Sequence, residues 1–443
     1  MARQAQPAQN AMWARIADAQ LAIMPLPHAL PASDAPPIER LESMRQIVRR
    51  MRAEGRVDQR AICAKLTAYG RLRVRTIAFP FTETVCALEC PDAKQLCNEF
   101  GEDHALAGMA AALELASVPL RRHAHTEADA RRWFESLQAY PDSPWRSTPF
   151  ALPYATGVPL LFDGEPQLMV YDDAVEYEKI DRLTDLFTED ERLRARRIGS
   201  HRSPTEEWVH DVGFRERVLR RTLPKPPTAF GLREAMWAEA TEATGFKQSF
   251  AISVLRRLGA KKVLDISAGW GDRLIAALAA RVDRYVAADP NAALRRGHDA
   301  IVNTLRTLRT PNTAVSIHYL PFEDAPIDEP FDVVFTSPPY FDFEVYTDAP
   351  GQSIQRFPEL ETWLEGWLFP ALAKAWRLLE PDGHLAVHMC DGRIVEPMLR
   401  FASTRLPLST YRGVLACTGS KPKARPVWVF RKGENPAKRR KTR

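Results

Sequence analysis

Apolar segments alternate with amphipathic segments through the second half of the chain. Residues 250–258 carry apolar side chains at helical spacing, and the apolar run 262–266 follows after a short turn. The alternation continues and predicts strands at 262–266, 284–288, 314–320, 331–336, 384–389, 411–417 and 426–430. The predicted helices between them lie at 272–280, 293–308, 360–379 and from 394 onward.

Strands that alternate with helices form a mostly parallel sheet with helices on both faces. The pattern therefore predicts a doubly wound, Rossmann-like α/β sheet of seven strands. No helical pattern separates the last two strands, which predicts that they pair as an antiparallel hairpin.

The first half of the chain has a less regular pattern, typical of a mixed α/β region. Residues 1–37 are rich in Ala, Pro and Gln and are predicted to be flexible. The predicted elements after them are a helix at 38–66, strands at 74–79, 158–162 and 167–171, and a helix near 105–116. An acidic block at 172–191 and a basic block at 192–221 predict solvated helix faces.

These changes of pattern predict five parts of the chain. They are a flexible segment at 1–37, an α/β region at 38–221, a Pro-rich linker at 222–230, a main domain at 231–432 and a basic tail at 433–443. We expect the region at 38–221 to recognise a target or a partner.

Composition narrows the class of protein. With 45% hydrophobic residues among 443, the chain has enough apolar material for a core and is not fully disordered. It has no apolar run long enough for a membrane helix, and its first residues lack the apolar core of a secretory signal. Six cysteines in this length do not predict a disulfide framework, so we expect an intracellular protein.

The charge is concentrated at the C-terminus. Residues 421–443 hold ten Lys and Arg and one Glu, whereas the rest of the chain holds 51 basic and 55 acidic residues. A nucleic-acid surface would therefore be a local patch. The tail predicts a phosphate-binding patch, a nuclear-import signal or a solubilising segment.

A glycine turn follows the first strand of the main domain, in VLDISAGWGDRL. Gly269 and Gly271 allow a ligand to approach the backbone, and the turn opens onto a helix N-terminus whose N–H groups can hold a carboxylate. Asp289 follows the second strand, where an acid can accept both hydroxyls of a ribose. Trp270 between the glycines either lines this pocket or is a packing aromatic.

A proline arch follows the strand 331–336. Ser337, Pro338, Pro339 and Tyr340 form SPPY, in which two prolines fix the backbone and remove two donors. The carbonyls of such an arch point into the crevice at the carboxyl ends of the strands, and the tyrosine can stack on a planar base.

In the order glycine turn, acid and SPPY, residues 231–432 resemble the S-adenosylmethionine-dependent amino-methyltransferases that act on exocyclic nitrogens of nucleic-acid bases. The resemblance implies S-adenosyl-L-methionine as the cofactor and DNA or RNA as the substrate. It implies catalytic roles for Ser337, Pro338, Pro339 and Tyr340. It also implies cofactor contacts from Phe246, Lys247, Asp265, Ser267, Gly269, Trp270, Gly271, Asp289, and Phe322 or Glu323, with Asp324 as an alternative at the last position.

The chemistry expected of the arch suits an exocyclic amine, whose lone pair is delocalised into the ring. The Ser337 hydroxyl and the Pro338 carbonyl can accept its two N–H bonds and turn the lone pair towards the methyl group. In place of the more common Asp or Asn, Ser337 is the form most often tied to cytosine N4 in this family, so cytosine N4 is favoured over adenine N6.

Several other residues admit both a functional and a structural interpretation. Cys86, Cys90, Cys97 and His104 could bind zinc, although buried thiols on a helix explain the spacing better. Phe341, Phe343 and Tyr346 either stack on nucleotides or pack in a loop. Glu344 could help to recognise the base, but its position favours a solvated carboxylate. The residues predicted to belong to the core are Trp363, Trp367, Trp376 and His388.

Two rival functions remain open from the sequence. One is a non-catalytic nucleic-acid-binding or assembly protein on a degenerate methyltransferase fold. The other is a methyltransferase for small-molecule amines. Asp289 and the intact SPPY motif argue against the first, and the proline arch with Tyr340, which suits a planar heteroaromatic acceptor, argues against the second.

Overall fold

The computed structural model describes residues 73–77, 85–89, 102, 106, 127–142, 144–155, 157–170, 177–223, 229–305, 313–418 and 424–434. The predicted segment 1–37 and the helix at 38–66 lie outside these residues, as do nearly all of the helix near 105–116 and of the basic tail. Of the four candidate zinc ligands, only the backbone of Cys86 is described.

The described residues form strands and helices, which are numbered here in chain order. The strands are β1 (Arg73–Ile77), β2 (Val85–Glu89), β3 (Trp145–Arg146), β4 (Gln167–Met169), β5 (Arg196–Arg197), β6 (Lys262–Asp265), β7 (Arg284–Ala288), β8 (Ala314–His318), β9 (Phe331–Thr336), β10 (Glu344–Val345), β11 (Leu379–His388), β12 (Ser409–Cys417) and β13 (Arg425–Lys432). The helices are α1 (Glu127–Gln138), α2 (Tyr177–Ile180), α3 (Asp185–Leu193), α4 (Pro204–His210), α5 (Val212–Thr222), α6 (Ala229–Glu239), α7 (Gln248–Arg257), α8 (Asp272–Ala280), α9 (Arg295–Leu305), α10 (Ser353–Arg356), α11 (Leu360–Trp363), α12 (Phe369–Leu378) and α13 (Gly392–Thr404). A 3₁₀ turn at Ala292–Leu294 precedes α9, and a π-helical turn at Leu364–Leu368 joins α11 to α12.

The chain forms two compact units, residues 1–126 with 200–242 and residues 127–199 with 243–443. In the first unit β1 and β2 pair antiparallel, and α4, α5 and α6 follow one another. Helix α4 begins with a capping box, in which Ser203 and Glu206 each accept the other's backbone N–H. Glu239 on α6 pairs with Arg217 and Arg221 on α5.

The second unit is built on one sheet with the strand order β3-β4-β12-β13-β11-β9-β6-β7-β8. The five strands from β11 to β8 in this order run parallel, with helices joining them along the chain. Strand β13 is antiparallel to both β11 and β12, which confirms the predicted C-terminal hairpin. The doubly wound, Rossmann-like architecture is therefore present.

The seven predicted strands are all in this sheet, and β3 and β4 extend it to nine. Strand β4 pairs parallel with β12, and β3 pairs antiparallel with β4. The strand predicted at 158–162 is wrong, since the β-pairing there is limited to isolated bridges from Phe162 to Glu165 and to Gly413. Pro159 interrupts this segment and has no N–H to donate to a ladder.

The compact units do not divide at the predicted linker. Residues 127–199, predicted to belong to the N-terminal region, share a unit with 243–443. Ser249 at the start of α7 donates both its N–H and its hydroxyl to Asp181. The Arg192 guanidinium donates to the carbonyl of Ala243 at 3.1 Å. These bonds join positions far apart in sequence, which charge blocks along the chain do not reveal.

The prediction of solvated faces for the charge blocks is wrong for α3. Glu189 and Arg192 are each only 3% exposed, and Arg192 pairs with Asp185 at 2.8 Å and with Glu189 at 3.6 Å. Opposite charges that pair with one another can be buried together at much lower cost than either alone.

In the part of the chain that the structure describes, no helix combines the length and hydrophobicity of a membrane span. Nor do the described residues contain a cluster of His, Cys, Asp and Glu that could hold a metal ion.

Candidate functional site

The predicted site residues gather where the parallel strands end. Strand β6 has β7 on one side and β9 on the other, and the chain winds away from it in both directions. Such a switch in direction leaves a crevice outside the carboxyl ends of the two central strands. The glycine turn follows β6 and the proline arch follows β9, so the two come together at this crevice.

The glycine turn adopts a left-handed backbone at both glycines, with φ of 56° at Gly269 and 99° at Gly271. The positive φ favours glycine at Gly271, and a Cβ there would lie 2.8 Å from Ile301 Cδ1, so the tip of the Ile301 side chain would have to move. A Cβ on Gly269 would meet nothing closer than 3.8 Å. The turn is therefore packed against the protein at Gly271 and open at Gly269.

Asp265 anchors the base of the turn. This fully buried carboxylate accepts from Arg273 Nε at 2.7 Å, from the Tyr285 hydroxyl at 3.0 Å and from the Ser267 N–H at 3.2 Å. Burial, reinforced by the Asp265 charge, holds the pKa of Tyr285 well above its usual value. Asp265 thus fixes the turn through protein groups.

Asp289 supports the turn from the end of β7. Its Oδ2 accepts the Gly269 N–H at 2.8 Å and its Oδ1 accepts the Asn291 N–H at 2.9 Å. Burial raises its pKa to about 6, and the two N–H donors oppose that shift. Each oxygen keeps a lone pair for a further donor, because a carboxylate offers about four acceptor positions.

Trp270 is buried beside the turn, with its ring edge-on to Tyr346 at 5.8 Å between centroids. Its carbonyl accepts the Thr188 hydroxyl of α3 at 2.9 Å. Trp270 packs with Ala195, Ala243 and Leu294, and Tyr319 and Tyr346 border this cluster.

The segment before α7 meets the same turn. The Phe246 N–H donates to Asp272 Oδ2 at 2.9 Å, and the buried Phe246 ring meets His388 edge-on at 4.9 Å. Burial raises the pKa of Asp272 to about 6 and lowers the pKa of Lys247. Phe246 therefore lies between the turn and the end of β11.

The candidates after β8 are held by other parts of the protein. Phe322 is buried, and the Lys374 Nζ lies 4.7 Å from its ring centroid. Glu323 accepts from Arg356 at 2.7 Å and from the Trp367 indole at 3.2 Å. Asp324 is exposed.

Hydrogen bonds join the proline arch to the glycine turn. The Ser267 hydroxyl lies 3.0 Å from the Thr336 hydroxyl and donates to the Ser337 carbonyl at 3.4 Å. The hydroxyls of Ser337 and Tyr340 are 3.5 Å apart. Burial holds the pKa of Tyr340 well above its usual value, so its hydroxyl keeps its proton.

The end of β11 completes the surroundings of the arch. His388 meets the Tyr340 ring edge-on at 6.1 Å, and its Nδ1 lies 2.6 Å from the Pro426 carbonyl. Burial lowers the pKa of His388 to about 3, so the ring is neutral. It is the satisfied, buried histidine that was predicted.

The residues after the arch turn back into the protein. Phe341 has a φ of 56°, uncommon for a residue with a side chain, and packs against Trp363 at 5.7 Å. Strand β10 then pairs with β5, which places the Arg197 guanidinium 4.4 Å from the Phe343 ring centroid. The prediction that Glu344 is solvated is wrong, since it is 6% exposed.

Glu344 is buried within a polar cluster. It accepts the Thr244 N–H at 3.2 Å and pairs with Arg197 at 3.8 Å. Burial raises its pKa, and the Tyr346 hydroxyl, which donates to it, opposes that shift.

Sequence reasoning missed four residues at this site: Thr188, Arg197, His298 and Tyr319. His298 Nε2 lies 2.9 Å from the Gly269 carbonyl, and its Nδ1 lies 3.1 Å from the Tyr319 hydroxyl. Neither RRGHDA nor IHYL resembles a binding motif. Tyr319 does follow the third parallel strand, which is the one signal that could have pointed to it.

No known protein-family pattern and no curated protein matches this sequence. Among solved structures, TrmN from Thermus thermophilus is 17% identical over 42% of this chain and 49% of its own, with a TM-score of 0.31. A methyltransferase from Pyrococcus furiosus is 14% identical over 43% of this chain and 84% of its own, with a TM-score of 0.32. An rRNA methylase from Streptococcus thermophilus is 13% identical over 42% of this chain and 94% of its own, with a TM-score of 0.29.

The match spans about half of the length of TrmN. These scores are low, so the strand order of this chain itself establishes its Rossmann-like fold.

Proposed function

We propose that this chain is an S-adenosylmethionine-dependent methyltransferase that modifies an exocyclic amine of a nucleic-acid base, cytosine N4 or adenine N6. One observation carries the proposal: the glycine turn and the SPPY arch are hydrogen-bonded to one another at the switch point of the sheet, through Ser267, Thr336 and Ser337. The part suited to a nucleotide-like cofactor and the part suited to a planar amine therefore share one crevice.

The residues present fit S-adenosylmethionine. Gly269 leaves space that a Cβ would fill, and Asp289 keeps one lone pair on each oxygen for a ribose hydroxyl. Trp270 and Tyr346 provide aromatic surface beside them. When bound, the cofactor supplies a methyl group on a positively charged sulfur.

On the acceptor side, Ser337 and Pro338 provide two acceptors for the two N–H bonds of the amine. Such bonds withdraw the nitrogen lone pair from the ring and orient it. The Tyr340 ring offers a stacking surface, and its protonated hydroxyl lies 3.5 Å from that of Ser337. These residues act by positioning and by preorganised electrostatics. A base in a duplex would first have to leave the stack.

The experiment is methyl transfer from labelled S-adenosylmethionine to DNA and RNA in parallel, followed by digestion and separation of nucleosides. We expect label in N4-methylcytosine or N6-methyladenine nucleosides. Label on a ring carbon or a ribose oxygen would overturn the proposal, because neither atom offers two N–H bonds to the arch. Failure of the protein to bind S-adenosylmethionine in calorimetry would favour the non-catalytic alternative.

A further inference from the structure

His298, which is not part of the glycine-turn motif, hydrogen-bonds to that turn from α9. It lies on α9, is 1% exposed, and makes two hydrogen bonds, one to the Gly269 carbonyl and one to the Tyr319 hydroxyl. A tyrosine hydroxyl that donates to Nδ1 leaves the proton of a neutral imidazole on Nε2. The Nε2–H then donates to the Gly269 carbonyl. Burial lowers the pKa of His298 to about 4, which keeps the ring neutral.

The peptide between Gly269 and Trp270 is therefore fixed at its oxygen. In a planar trans peptide the C=O and the following N–H point in opposite directions. Holding the Gly269 carbonyl against His298 thus directs the Trp270 N–H away from α9.

Of the five N–H groups from Ser267 to Gly271, that of Trp270 is the one left over in the described structure. Among the described residues, the N–H groups of Ser267, Ala268, Gly269 and Gly271 all have partners, namely the Asp265 side chain, the Ala288 carbonyl, the Asp289 side chain and the Ala268 carbonyl. The Trp270 N–H has no hydrogen-bond partner in the described part of the chain. Because an unsatisfied donor is costly once water is excluded, a ligand that covers this turn is expected to accept from it.

We propose that His298 is a positioning residue for the cofactor: by holding the Gly269 carbonyl, it presents the Trp270 N–H to the carboxylate of S-adenosylmethionine. The inference rests on the proposed function, because it requires that cofactor. In this proposal Asp289 binds the ribose, whereas His298 positions the Trp270 N–H that binds the amino-acid end of the cofactor.

The test compares two ligands that differ at that end. S-adenosylhomocysteine carries the carboxylate, whereas 5′-methylthioadenosine keeps the adenosine and the sulfur and lacks the amino-acid group. In calorimetry, His298→Phe should weaken S-adenosylhomocysteine about ten-fold and leave 5′-methylthioadenosine unchanged. His298→Gln, whose amide can still donate to Gly269, should retain most of the affinity. Asp289→Ala is the matched control and should weaken both ligands.

Equal loss for the two ligands, or no loss for either, would overturn the role of His298. So would a wild-type protein that binds both ligands equally well, since the carboxylate would then contribute nothing. If His298→Phe does not fold, as judged by thermal unfolding without ligand, His298→Asn takes its place, because its shorter amide does not reach Gly269. A wild-type protein that binds neither ligand would instead overturn the proposed function.

Discussion

At the scale of single residues, Asp289 is a buried carboxyl of the candidate site with a raised pKa. It is 8% exposed, and this burial raises its pKa to about 6 against the opposing effect of the Asn291 and Gly269 N–H groups. It is therefore mostly ionised at neutral pH and becomes protonated under mildly acidic conditions. A protonated carboxyl accepts fewer hydrogen bonds, which ties cofactor binding to pH.

We expect Asp289→Ala to weaken S-adenosylhomocysteine about ten- to a hundred-fold, the value of one or two hydrogen bonds to a charged group. In the wild type, affinity should fall as pH drops through about 6. Calorimetry at several pH values measures both effects. Asp289→Asn should flatten the dependence of affinity on pH. Asp272→Asn is the control and should keep that dependence, because the pKa of Asp272 is also about 6 but its bonds go to Phe246 and Gln248.

The free energy of unfolding of the unligated protein should depend on pH in the opposite direction to the affinity. A carboxyl whose pKa is higher in the folded state binds a proton more readily when folded, so its contribution to stability is lost as pH rises from about 4 to about 6. A profile of affinity that does not change between about pH 5 and 7.5 would contradict the assignment of Asp289 to the ribose.

Ser337 and Tyr340 separate binding from chemistry. Ser337→Ala and Tyr340→Ala should keep affinity for S-adenosylhomocysteine and lose methyl transfer, because the proposed function assigns these side chains to the acceptor and not to the cofactor. We expect the turnover of the Ser337→Ala protein to be about 10²-fold lower than that of the wild type, which is the loss typical of one transition-state hydrogen bond. Wild-type turnover by either variant on every substrate would show that the arch is structural.

At the scale of elements, α3 and α9 approach each other closely beside the site. Gly297 on α9 makes this possible, since a Cβ there would lie 2.9 Å from the Phe187 carbonyl and would overlap the Thr188 methyl group. Thr188 in turn donates to the Trp270 carbonyl. The helix pair therefore supports the cofactor side of the crevice.

Gly297→Ala should destabilise the protein by about 1–3 kcal/mol, the usual cost of an extra group forced into a packed contact. A loss of stability is informative because replacing Gly by Ala in a helix otherwise stabilises the helix by about 1 kcal/mol. Urea unfolding measures the change. Asn303→Ala, at an exposed position of the same helix, is the control and should leave stability nearly unchanged. Stabilisation by Gly297→Ala would contradict the close approach of the two helices.

At the scale of the whole molecule, the sheet takes in segments from both halves of the chain. Strand β4 pairs with β12, Asp181 accepts from Ser249 on α7, and Arg192 donates to the Ala243 carbonyl ahead of α7. Residues 127–199 are thus part of the unit that carries the candidate site.

We therefore expect a fragment of residues 127–443 to unfold cooperatively, and a fragment of residues 231–443 to be unfolded or insoluble. The shorter fragment would expose the edge of β12 and the buried face that α3 covers. Far-UV circular dichroism during urea unfolding distinguishes the two. A cooperative transition for residues 231–443 alone would support the predicted boundary at 222–230.

The basic C-terminal tail is a candidate for binding the phosphates of nucleic acid. Deletion of residues 435–443 removes Lys438, Arg439, Arg440, Lys441 and Arg443. If the tail binds phosphates, affinity for single-stranded DNA or RNA should fall and its dependence on salt should flatten. Fluorescence anisotropy over a range of salt concentrations measures this. Unchanged affinity with lost nuclear accumulation would point to an import signal, and no change in either to a solubilising tail.

The sequence by itself determined the parts whose signal is local. Alternating apolar and amphipathic runs gave the seven main strands and their hairpin, because the side-chain period of a strand or helix is read within a few residues. The glycine turn, Asp289 and SPPY were also visible, since each follows a strand and has a backbone requirement of its own. Left-handed angles at Gly269 and Gly271 show that requirement directly.

Tertiary structure alone decided how distant segments meet. Glu189, Arg192 and Glu344 read as solvated charges, yet they are buried, because pairing depends on partners far away in the chain. His298 and Tyr319 carry no motif, since Tyr319 bonds to His298 and His298 bonds to the turn only in the folded protein, where α9 and the end of β8 come close to the turn. Packing in three dimensions, and not sequence spacing, placed α3 and β4 in the same unit as the site.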